Sequence, residues 1–380
     1  MNKVLLVGVL AIAVILISVV GFLNYNPSYK TSQTGLKVNL ESAPSTGVLL
    51  SPVQAQASTG VQGYTVGAWI ELSNLSGIAP SGTVTSQFIN NISKDFGTTF
   101  SEVLVHNSTS SAIVFVSKAV SQNISTGFRK IALILVAGYN FNVNKSGNME
   151  YVYGNISGTG ISLGYDGTYL VGAVVNGVQE PAQSALSLLM NQYQDVVNSQ
   201  SALVQPPSIF SSVPNMKLAL WAYVNYTALK SLNLSQGFKM GGIMGLNKLN
   251  SMSAYSKFQN TSRNMKLNVS TGYLALYANS SSLLAVQVTQ YKTSSEAQQQ
   301  YNQTLTFYEQ YKDYTGMNAV ISQGSEDGSP YFIANPNPMN NNTLILASVS
   351  GPYFITEANY ATVASQTLLL SYLQGLLSQL

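Results

Sequence analysis

The longest apolar run of the chain lies near its N-terminal end. Residues 4–23 carry no charged side chain and are followed by a polar stretch. A helix needs about 20 apolar residues to cross the hydrocarbon core, whereas the core of a cleaved signal peptide has about 7–15. The length therefore favours a retained membrane anchor over residues 1–24, with a cleaved export signal as the alternative. Because Lys3 is the one basic residue ahead of the run, we expect the rest of the chain to be extracytoplasmic.

Alternation of apolar and polar positions predicts strands in the remainder of the chain. Two β-hairpins are predicted within residues 103–116 and 273–288, where apolar strands flank a short Asn/Ser-rich turn. A further alternating stretch at residues 36–40 predicts a strand. That strand would complete the sheet of its own chain or add to a sheet edge of a neighbouring subunit.

Helical patterns follow each hairpin and close each half of the chain. Residues 294–313 begin with serines that can cap a helix and with Glu296, which can reach back to the first turn. Their counterpart at residues 125–136 is more apolar and could turn into a strand partway. Closing helices are predicted near residues 181–197, with Pro181 in the first turn, and near residues 360–380.

These elements recur in the same order in two halves of the chain. The only two tryptophans, Trp69 and Trp221, lie in similar strand-like segments, and each is followed by a hairpin, a helix, more strands and a closing helix. We therefore predict a tandem duplication and an α+β fold in which each unit has an antiparallel sheet covered by helices on one face. The predicted ranges are a polar linker at 25–59 with one strand, unit 60–203, a proline-marked linker at 204–214 and unit 215–380.

The composition of the chain indicates an unusual environment. Charged residues make up 8% of the chain, against about 25% in ordinary domains, and there is no cysteine. Disulfides and thiolate metal sites are thereby excluded. The net charge of +3 is spread along the chain without the basic stripe of a nucleic-acid-binding protein. We predict no cofactor and no nucleic-acid partner.

In composition the chain resembles secreted and surface glycoproteins of heat- and acid-loving archaea, which are poor in charge and rich in Tyr, Asn, Ser and Thr. The resemblance implies an extracellular glycoprotein that tolerates acid, since few carboxylates are present to destabilise the native state when protonated. A weaker resemblance is to the archaeal sulfolobicins, which are likewise exported and cysteine-free. It implies a secreted antimicrobial protein associated with membranes.

Sequons for N-glycosylation are spread along the whole chain, and in an exported protein each is a candidate acceptor on an exposed loop. Chance accounts for several in a chain so rich in Asn, Ser and Thr. The candidate acceptors are Asn74, Asn91, Asn107, Asn123, Asn144, Asn155, Asn225, Asn233, Asn260, Asn268, Asn279, Asn302 and Asn341.

The residue types needed for catalysis are sparse. His106 is the only histidine, and its place at the end of a hairpin strand favours a solvent-facing side chain. Asp166-Gly167 and Asp327-Gly328 are typical of tight turns and do not match the Asp-Thr/Ser-Gly order of aspartic proteases. The acidic residues are too scattered for a glycosidase pair to be named. We predict no catalytic and no metal-binding residue.

Two apolar segments stand out as contact candidates. Residues 238–246 interrupt the repeat and are rich in methionine, which adapts to irregular surfaces; a buried loop or short core helix is the alternative. Residues 363–380 carry no charge and are expected to cap the second sheet, with a membrane-surface role as the alternative. The candidate membrane or partner contacts are Phe238, Met240, Ile243, Met244 and Leu246.

Together these features predict a non-catalytic, extracytoplasmic, membrane-anchored glycoprotein that acts by binding or assembly at the cell surface. Its expected partners are the membrane, through the N-terminal helix, and either another protein or further copies of itself. One alternative is a secreted, membrane-associated antimicrobial protein. A second is an acid-stable, carboxylate-dependent hydrolase or solute-binding protein.

Overall fold

A computed structural model describes residues 50–72, 96–198 except 108, 209–229 except 211, and 269–380 except 316–317, 337–340 and 362. The predicted anchor at residues 1–24, the strand at 36–40 and the methionine-rich segment at 238–246 lie outside the described residues. No helix within these described ranges has both the length and the apolar character needed to cross a bilayer.

The described elements alternate between strands and helices along the chain. The helices are α1 (Pro52–Thr59), α2 (Asn123–Tyr139), α3 (Pro181–Asn198), α4 (Tyr226–Leu229), α5 (Ser294–Thr315) and α6 (Gln366–Leu377). The strands are β1 (Thr65–Leu72), β2 (Phe96–Val105), β3 (Ser111–Ala119), β4 (Asn142–Ser146), β5 (Met149–Ile156), β6 (Thr159–Tyr165), β7 (Tyr169–Asn176), β8 (Lys217–Asn225), β9 (Val269–Ala278), β10 (Ser282–Tyr291), β11 (Val320–Glu326), β12 (Ser329–Ala334), β13 (Thr343–Ser350) and β14 (Tyr353–Ala361).

The described residues form two compact units. Unit 1 comprises residues 50–72, 96–198 and 219–229, and unit 2 comprises residues 209–218 and the described part of 269–380. Both units are built on antiparallel sheets with a few helices, so the predicted α+β class is confirmed. Strand β8 lies in unit 1 from residue 219 onwards and pairs with β1.

The sheet of unit 1 has the strand order β8-β1-β2-β3-β7-β6-β5-β4. The neighbouring strands pair antiparallel, and β2 and β3 form the predicted hairpin. Helix α1 lies in the stretch predicted as a linker and packs on α3, where Gln54 Nε2 donates to Asp195 Oδ2 at 2.9 Å. A capping box formed by Ser51 and Gln54 starts this helix.

The sheet of unit 2 has the strand order β9-β10-β14-β13-β12-β11, again antiparallel throughout. The second predicted hairpin is β9–β10. A tight turn at Asp327 and Gly328, both with positive φ, joins β11 to β12 as the Asp-Gly pair predicts. The closing helix α6 begins at Gln366, later than predicted, because β14 continues to Ala361.

The helices of unit 1 lie on both faces of its sheet, so the prediction that helices cover one face is wrong. Side chains alternate along β6, which places Ser162 and Tyr165 on opposite faces. Ser162 Oγ donates to the backbone oxygen of Ala185 in α3 at 2.7 Å. On the other face, the ring of Phe128 in α2 lies 6.0 Å from that of Tyr165.

Unit 2 has the same two-sided arrangement. The ring of Tyr301 in α5 packs against Phe332 at 5.6 Å, and that of Tyr372 in α6 packs against Tyr277 at 5.5 Å. Residues directly opposite each other on neighbouring strands share a face of the sheet, and a series of such pairs leads from Phe332 to Leu274. Leu274 is three positions from Tyr277, and side chains alternate along a strand, so Phe332 and Tyr277 lie on opposite faces. The two helix contacts therefore also lie on opposite faces. In both units, strands with buried side chains on each side require a cover on each face.

Helix α2 differs from its prediction in one further respect. It is helical throughout and does not turn into a strand. It ends at Asn140, which adopts a left-handed conformation with φ 55° and donates its backbone N–H to the carbonyls of Leu135 and Val136. Asparagine tolerates this conformation and so ends the helix.

Candidate functional surface and buried carboxylates

The pairing of β1 with β8 places a glutamate among aromatic rings in unit 1. Glu71 lies opposite Trp221, whose indole Nε1 donates to Glu71 Oε2 at 3.0 Å. The ring centroids of Trp221 and Trp69 are 4.0 Å apart. Burial raises the pKa of Glu71 to about 7, and the hydrogen bond from Trp221 offsets part of the rise. This carboxyl is therefore poised to take up a proton in mildly acidic medium.

A second buried glutamate lies on the neighbouring strand β2. Glu102 is 1% exposed and lies directly opposite Trp69 on one side and Val114 on the other. Neither of its carboxylate oxygens has a hydrogen-bond partner of good geometry within the described structure. Burial raises the pKa of Glu102 well above its usual range, and the nearby backbone amide of Leu50 offsets a smaller part. The neutral carboxylic acid is therefore the favoured form in the folded state.

Unit 2 holds the third buried glutamate, on strand β14. Glu357 has no exposed surface and lies between Val286 and Leu346 of the adjacent strands. Its carboxylate oxygens also lack a hydrogen-bond partner within the described structure, and burial raises its pKa well above the usual range. Nearby, the hydroxyls of Tyr277 and Tyr372 are 2.9 Å apart. Burial, with a smaller contribution from Glu357, raises the pKa of Tyr277 to about 12, although the hydrogen bond to Tyr372 works against the rise.

These carboxyls are enclosed by core side chains. A buried charge is costly, above all without a hydrogen-bond partner, so the sites of Glu102 and Glu357 favour the protonated acid. Sequence reasoning did not single out Glu71, Glu102 or Glu357. The signal that marks them is a lone glutamate inside an otherwise apolar strand, as in residues 68–72 around Glu71.

The predicted histidine position is confirmed. His106 is exposed at the end of β2, with its ring 6.2 Å from that of Tyr64. Within the ranges that the structure describes, no group of three or more His, Cys, Asp or Glu side chains is placed to hold a metal ion.

The described sequon asparagines divide into exposed and half-buried positions. Several of them shape turns: the Oδ1 of Asn107 accepts from the backbone N–H of Ser110, and that of Asn279 accepts from Ser282, each within 3 Å. The Nδ2 of Asn279, the atom that would carry a glycan, donates to the backbone oxygen of Asn215. The exposed positions are Asn123, Asn144, Asn155, Asn302 and Asn341, and the half-buried ones are Asn107, Asn225 and Asn279. Asn74, Asn91, Asn233, Asn260 and Asn268 lie outside the described residues.

The predicted contact residues Phe238, Met240, Ile243, Met244 and Leu246 also lie outside the described residues. The C-terminal helix α6 caps the sheet of unit 2, as predicted, and turns its apolar side chains inwards. Its buried residues are Leu369, Tyr372, Leu373 and Leu376.

An exposed apolar surface occurs instead at the end of α2. The first half of this helix is anchored by Ile124 and Phe128, whereas Leu133 is 68% exposed and Ile134 51%. Tyr139 at the end of the helix and Val143 in the following strand β4 are also exposed. We call these four exposed residues together the apolar tip: Leu133, Ile134, Tyr139 and Val143. The sequence shows that this segment is apolar, but it does not show that the apolar side chains are exposed.

Comparison with known proteins does not assign this chain to a family. No family model and no curated protein matches the chain. Among solved structures it is similar to crystal form I of TP0453, with 12% identity over 86% of this chain and 98% of that one, at a TM-score of 0.34. Crystal form III gives 12% identity over 87% and 99%, at a TM-score of 0.33. These scores are too low to support any conclusion about fold or function.

Proposed function

We propose that this chain is a non-catalytic extracytoplasmic glycoprotein, anchored by residues 1–24, that acts by binding or assembly at the cell surface in an acidic medium. The observation that carries the proposal is the pair of fully enclosed carboxyls, Glu102 and Glu357. Because burial raises the pKa of both carboxyls, we expect each to contribute more to the stability of the native state in acid than at neutral pH. This preference suits a protein that works outside the cell of an acid-loving organism.

The same observation weakens the alternative of a carboxylate-dependent hydrolase or solute-binding protein. That alternative requires carboxylates with raised pKa values at the wall of a ligand pocket. Glu102 and Glu357 are instead packed between apolar strand residues with at most 1% of their surface exposed. A general acid must come within hydrogen-bond reach of its substrate, which these positions do not permit without unfolding.

We also infer that the two units arose by tandem duplication. In unit 1 the order β1-β2-β3-β7-β6-β5-β4 runs across the sheet, and in unit 2 the order β9-β10-β14-β13-β12-β11 matches it from the second strand onwards. A helix follows the hairpin in each unit and a second helix follows the last strand. A related chain that contains one such unit alone would support the duplication, and related chains whose halves differ in strand order would contradict it.

The test of the proposed function is the intact mass of the native protein, taken separately from washed membranes and from culture fluid. We expect a membrane-bound species that retains residues 1–24 and carries glycan mass in excess of the polypeptide. A shortened, unmodified species found free in the medium would contradict the proposal. A hydrolytic activity abolished by one carboxylate substitution would contradict its non-catalytic part.

A secreted, membrane-associated antimicrobial protein is the second candidate, and the apolar tip favours it. Native protein would then inhibit the growth of neighbouring strains and release dye from lipid vesicles. A double substitution, Leu133→Ser with Ile134→Ser, would weaken both effects. Absence of growth inhibition and of dye release in the unsubstituted protein would remove this candidate.

A further inference from the structure

Helix α2 exposes apolar side chains where a surface helix ordinarily exposes polar ones. A helix in a globular protein turns its apolar stripe to the core and its polar stripe to water. In α2 the buried residues Ile124, Gly127 and Phe128 belong to the first half. Leu133 and Ile134, in the second half, face outwards, and a methyl group added at Gly138 would meet nothing within 4 Å.

Strand β4 extends the apolar tip on the same side of the sheet as α2. Val143 is 58% exposed and lies opposite Val152, which in turn lies opposite Leu163. Leu163 is two residues from Tyr165, the ring that Phe128 of α2 contacts, so Val143 shares the face that α2 covers. The sequon asparagine Asn144 is the next residue and therefore points to the opposite face. A glycan there would leave the apolar tip uncovered.

The charges of α2 are placed to match an anionic surface. Arg129 and Lys130 are exposed, and the helix contains no acidic residue. They precede Leu133 and Ile134 by four positions, which places each cation on the same side as one apolar residue and about 6 Å away along the axis. A helix that binds at a bilayer surface inserts its apolar side chains about 5–10 Å into the boundary between headgroups and acyl chains. Arginine and lysine side chains are long enough to keep their charged ends at the lipid phosphates while apolar side chains on the same side insert.

The size of the apolar tip favours a bilayer over a second protein. A stable protein interface buries about 800 Å² on each partner. Four partly exposed side chains offer on the order of 400 Å², which is within the range of ordinary surface patches. A bilayer needs no shape complementarity, and Tyr139 at the helix end is a residue type enriched at membrane interfaces.

We propose that the apolar tip of α2 and β4 docks onto an anionic lipid bilayer, with Arg129 and Lys130 at the level of the lipid phosphates. This contact is separate from the N-terminal anchor and does not depend on glycosylation. It holds a tethered protein close to the membrane surface, and in a released protein it provides the first attachment.

The absence of cysteine from the chain permits a direct test with single labelling sites. Unglycosylated full-length protein carrying Leu133→Cys is labelled with an environment-sensitive dye and reconstituted into vesicles whose headgroups bear nitroxide quenchers. The matched control is Gln310→Cys, an exposed position on α5, the corresponding helix of unit 2. Since every variant keeps the N-terminal segment, the comparison isolates the tip. Circular dichroism of each labelled variant checks that it is folded.

We expect quenching at position 133 to exceed that at position 310 several-fold in vesicles containing phosphatidylglycerol. The excess should fall at least threefold in phosphatidylcholine vesicles, and likewise for the Arg129→Gln, Lys130→Gln double variant. Equal quenching at the two positions would overturn the proposal. So would a dye at position 133 that is already shielded from aqueous iodide in detergent solution, because a second copy or another segment would then cover the tip. None of these outcomes depends on whether the native protein is anchored or glycosylated.

Discussion

Helices α2 and α5 occupy corresponding places in the two units but present different surfaces. Each follows the first hairpin and packs on the face of its sheet opposite the closing helix, through Phe128 against Tyr165 and through Tyr301 against Phe332. Outwards, α2 exposes Leu133 and Ile134, whereas the sequence of α5 is rich in glutamine, asparagine and threonine. The inward contacts of the two helices are thus alike, whereas their outward sides differ.

The opposite faces of the two sheets are more alike. The closing helices α3 and α6 each bury leucines on their inner sides. Glu102 and Glu357 lie on these faces, each in line with apolar neighbours and without a hydrogen-bond partner in the described structure. The units thus share a core that favours protonated carboxyls and differ in the helix on the other side.

The largest expected effect is a loss of stability as the pH rises from 3 to 7. Each buried glutamate has a pKa in the folded state above its unfolded value of about 4.3. Its contribution to the free energy of unfolding is therefore complete below that pH. As the pH rises towards the folded pKa, the contribution is lost at up to about 1.4 kcal/mol per pH unit. Unit 1 contains Glu71 and Glu102, whereas unit 2 contains Glu357, so unit 1 should lose more.

Denaturant unfolding across this pH range tests the prediction. Tryptophan fluorescence reports unit 1 alone, since Trp69 and Trp221 both lie there, and far-ultraviolet circular dichroism reports both units. Glu102→Gln should flatten the pH dependence seen by fluorescence, and Glu357→Gln should leave that curve unchanged. Stability that stays constant from pH 3 to 7 would show that these carboxyls are not held in the buried, uncharged form.

A second prediction concerns the two halves of α2. Phe128→Ala removes a ring that is 3% exposed and should lower the free energy of unfolding of unit 1 by about 3–5 kcal/mol. Leu133→Ser changes an outward side chain and should alter it by no more than about 0.5 kcal/mol. Thermal and denaturant unfolding measure both. Equal losses would mean that Leu133 is buried and that the contrast between α2 and α5 is not real.

A third prediction tests how closely α3 approaches the sheet of unit 1. A methyl group on Gly160 would collide with the backbone carbonyl of Pro181, the first residue of α3. Gly160→Ala should therefore displace the helix and cost about 1–3 kcal/mol. The matched control is Gly138→Ala, where nothing lies within 4 Å. It should be neutral or stabilise by up to about 1 kcal/mol. A neutral Gly160→Ala would indicate a looser helix position.

The smallest expected effects are at the two hairpin turns. Asn107→Ala and Asn279→Ala each remove a side-chain oxygen that accepts backbone N–H groups and should cost about 1 kcal/mol. The loss should be somewhat larger for Asn279, which also donates to Asn215. Aspartate at either position keeps the acceptor and should restore most of the stability. Melting temperatures compare the four variants, and an aspartate variant no better than alanine would rule out the turn role.

Prediction from sequence succeeded where the determining contacts are local. The hairpins β2–β3 and β9–β10 follow from apolar strands around an Asn-Ser turn. The helix from Ser294 was also predicted, but its cap was not, because Thr293 and not a serine accepts the backbone N–H of Glu296. It was wrong about which faces of each sheet are covered by helices, because alternation on one strand does not reveal whether both sides will be covered. It also missed Glu102 and Glu357, whose burial depends on neighbours in other strands.

Composition and periodicity by themselves determined that this is an α+β chain without disulfides, poor in charge, with two hairpin-centred halves, because those properties depend on residue types and on neighbours a few positions apart. The tertiary structure decided which side chains the strands enclose and which remain outside. It buried Glu71, Glu102 and Glu357 in the sheets and left Leu133 and Ile134 of α2 exposed. Both outcomes depend on strands and helices distant in sequence, whose packing sets the solvation of each side chain.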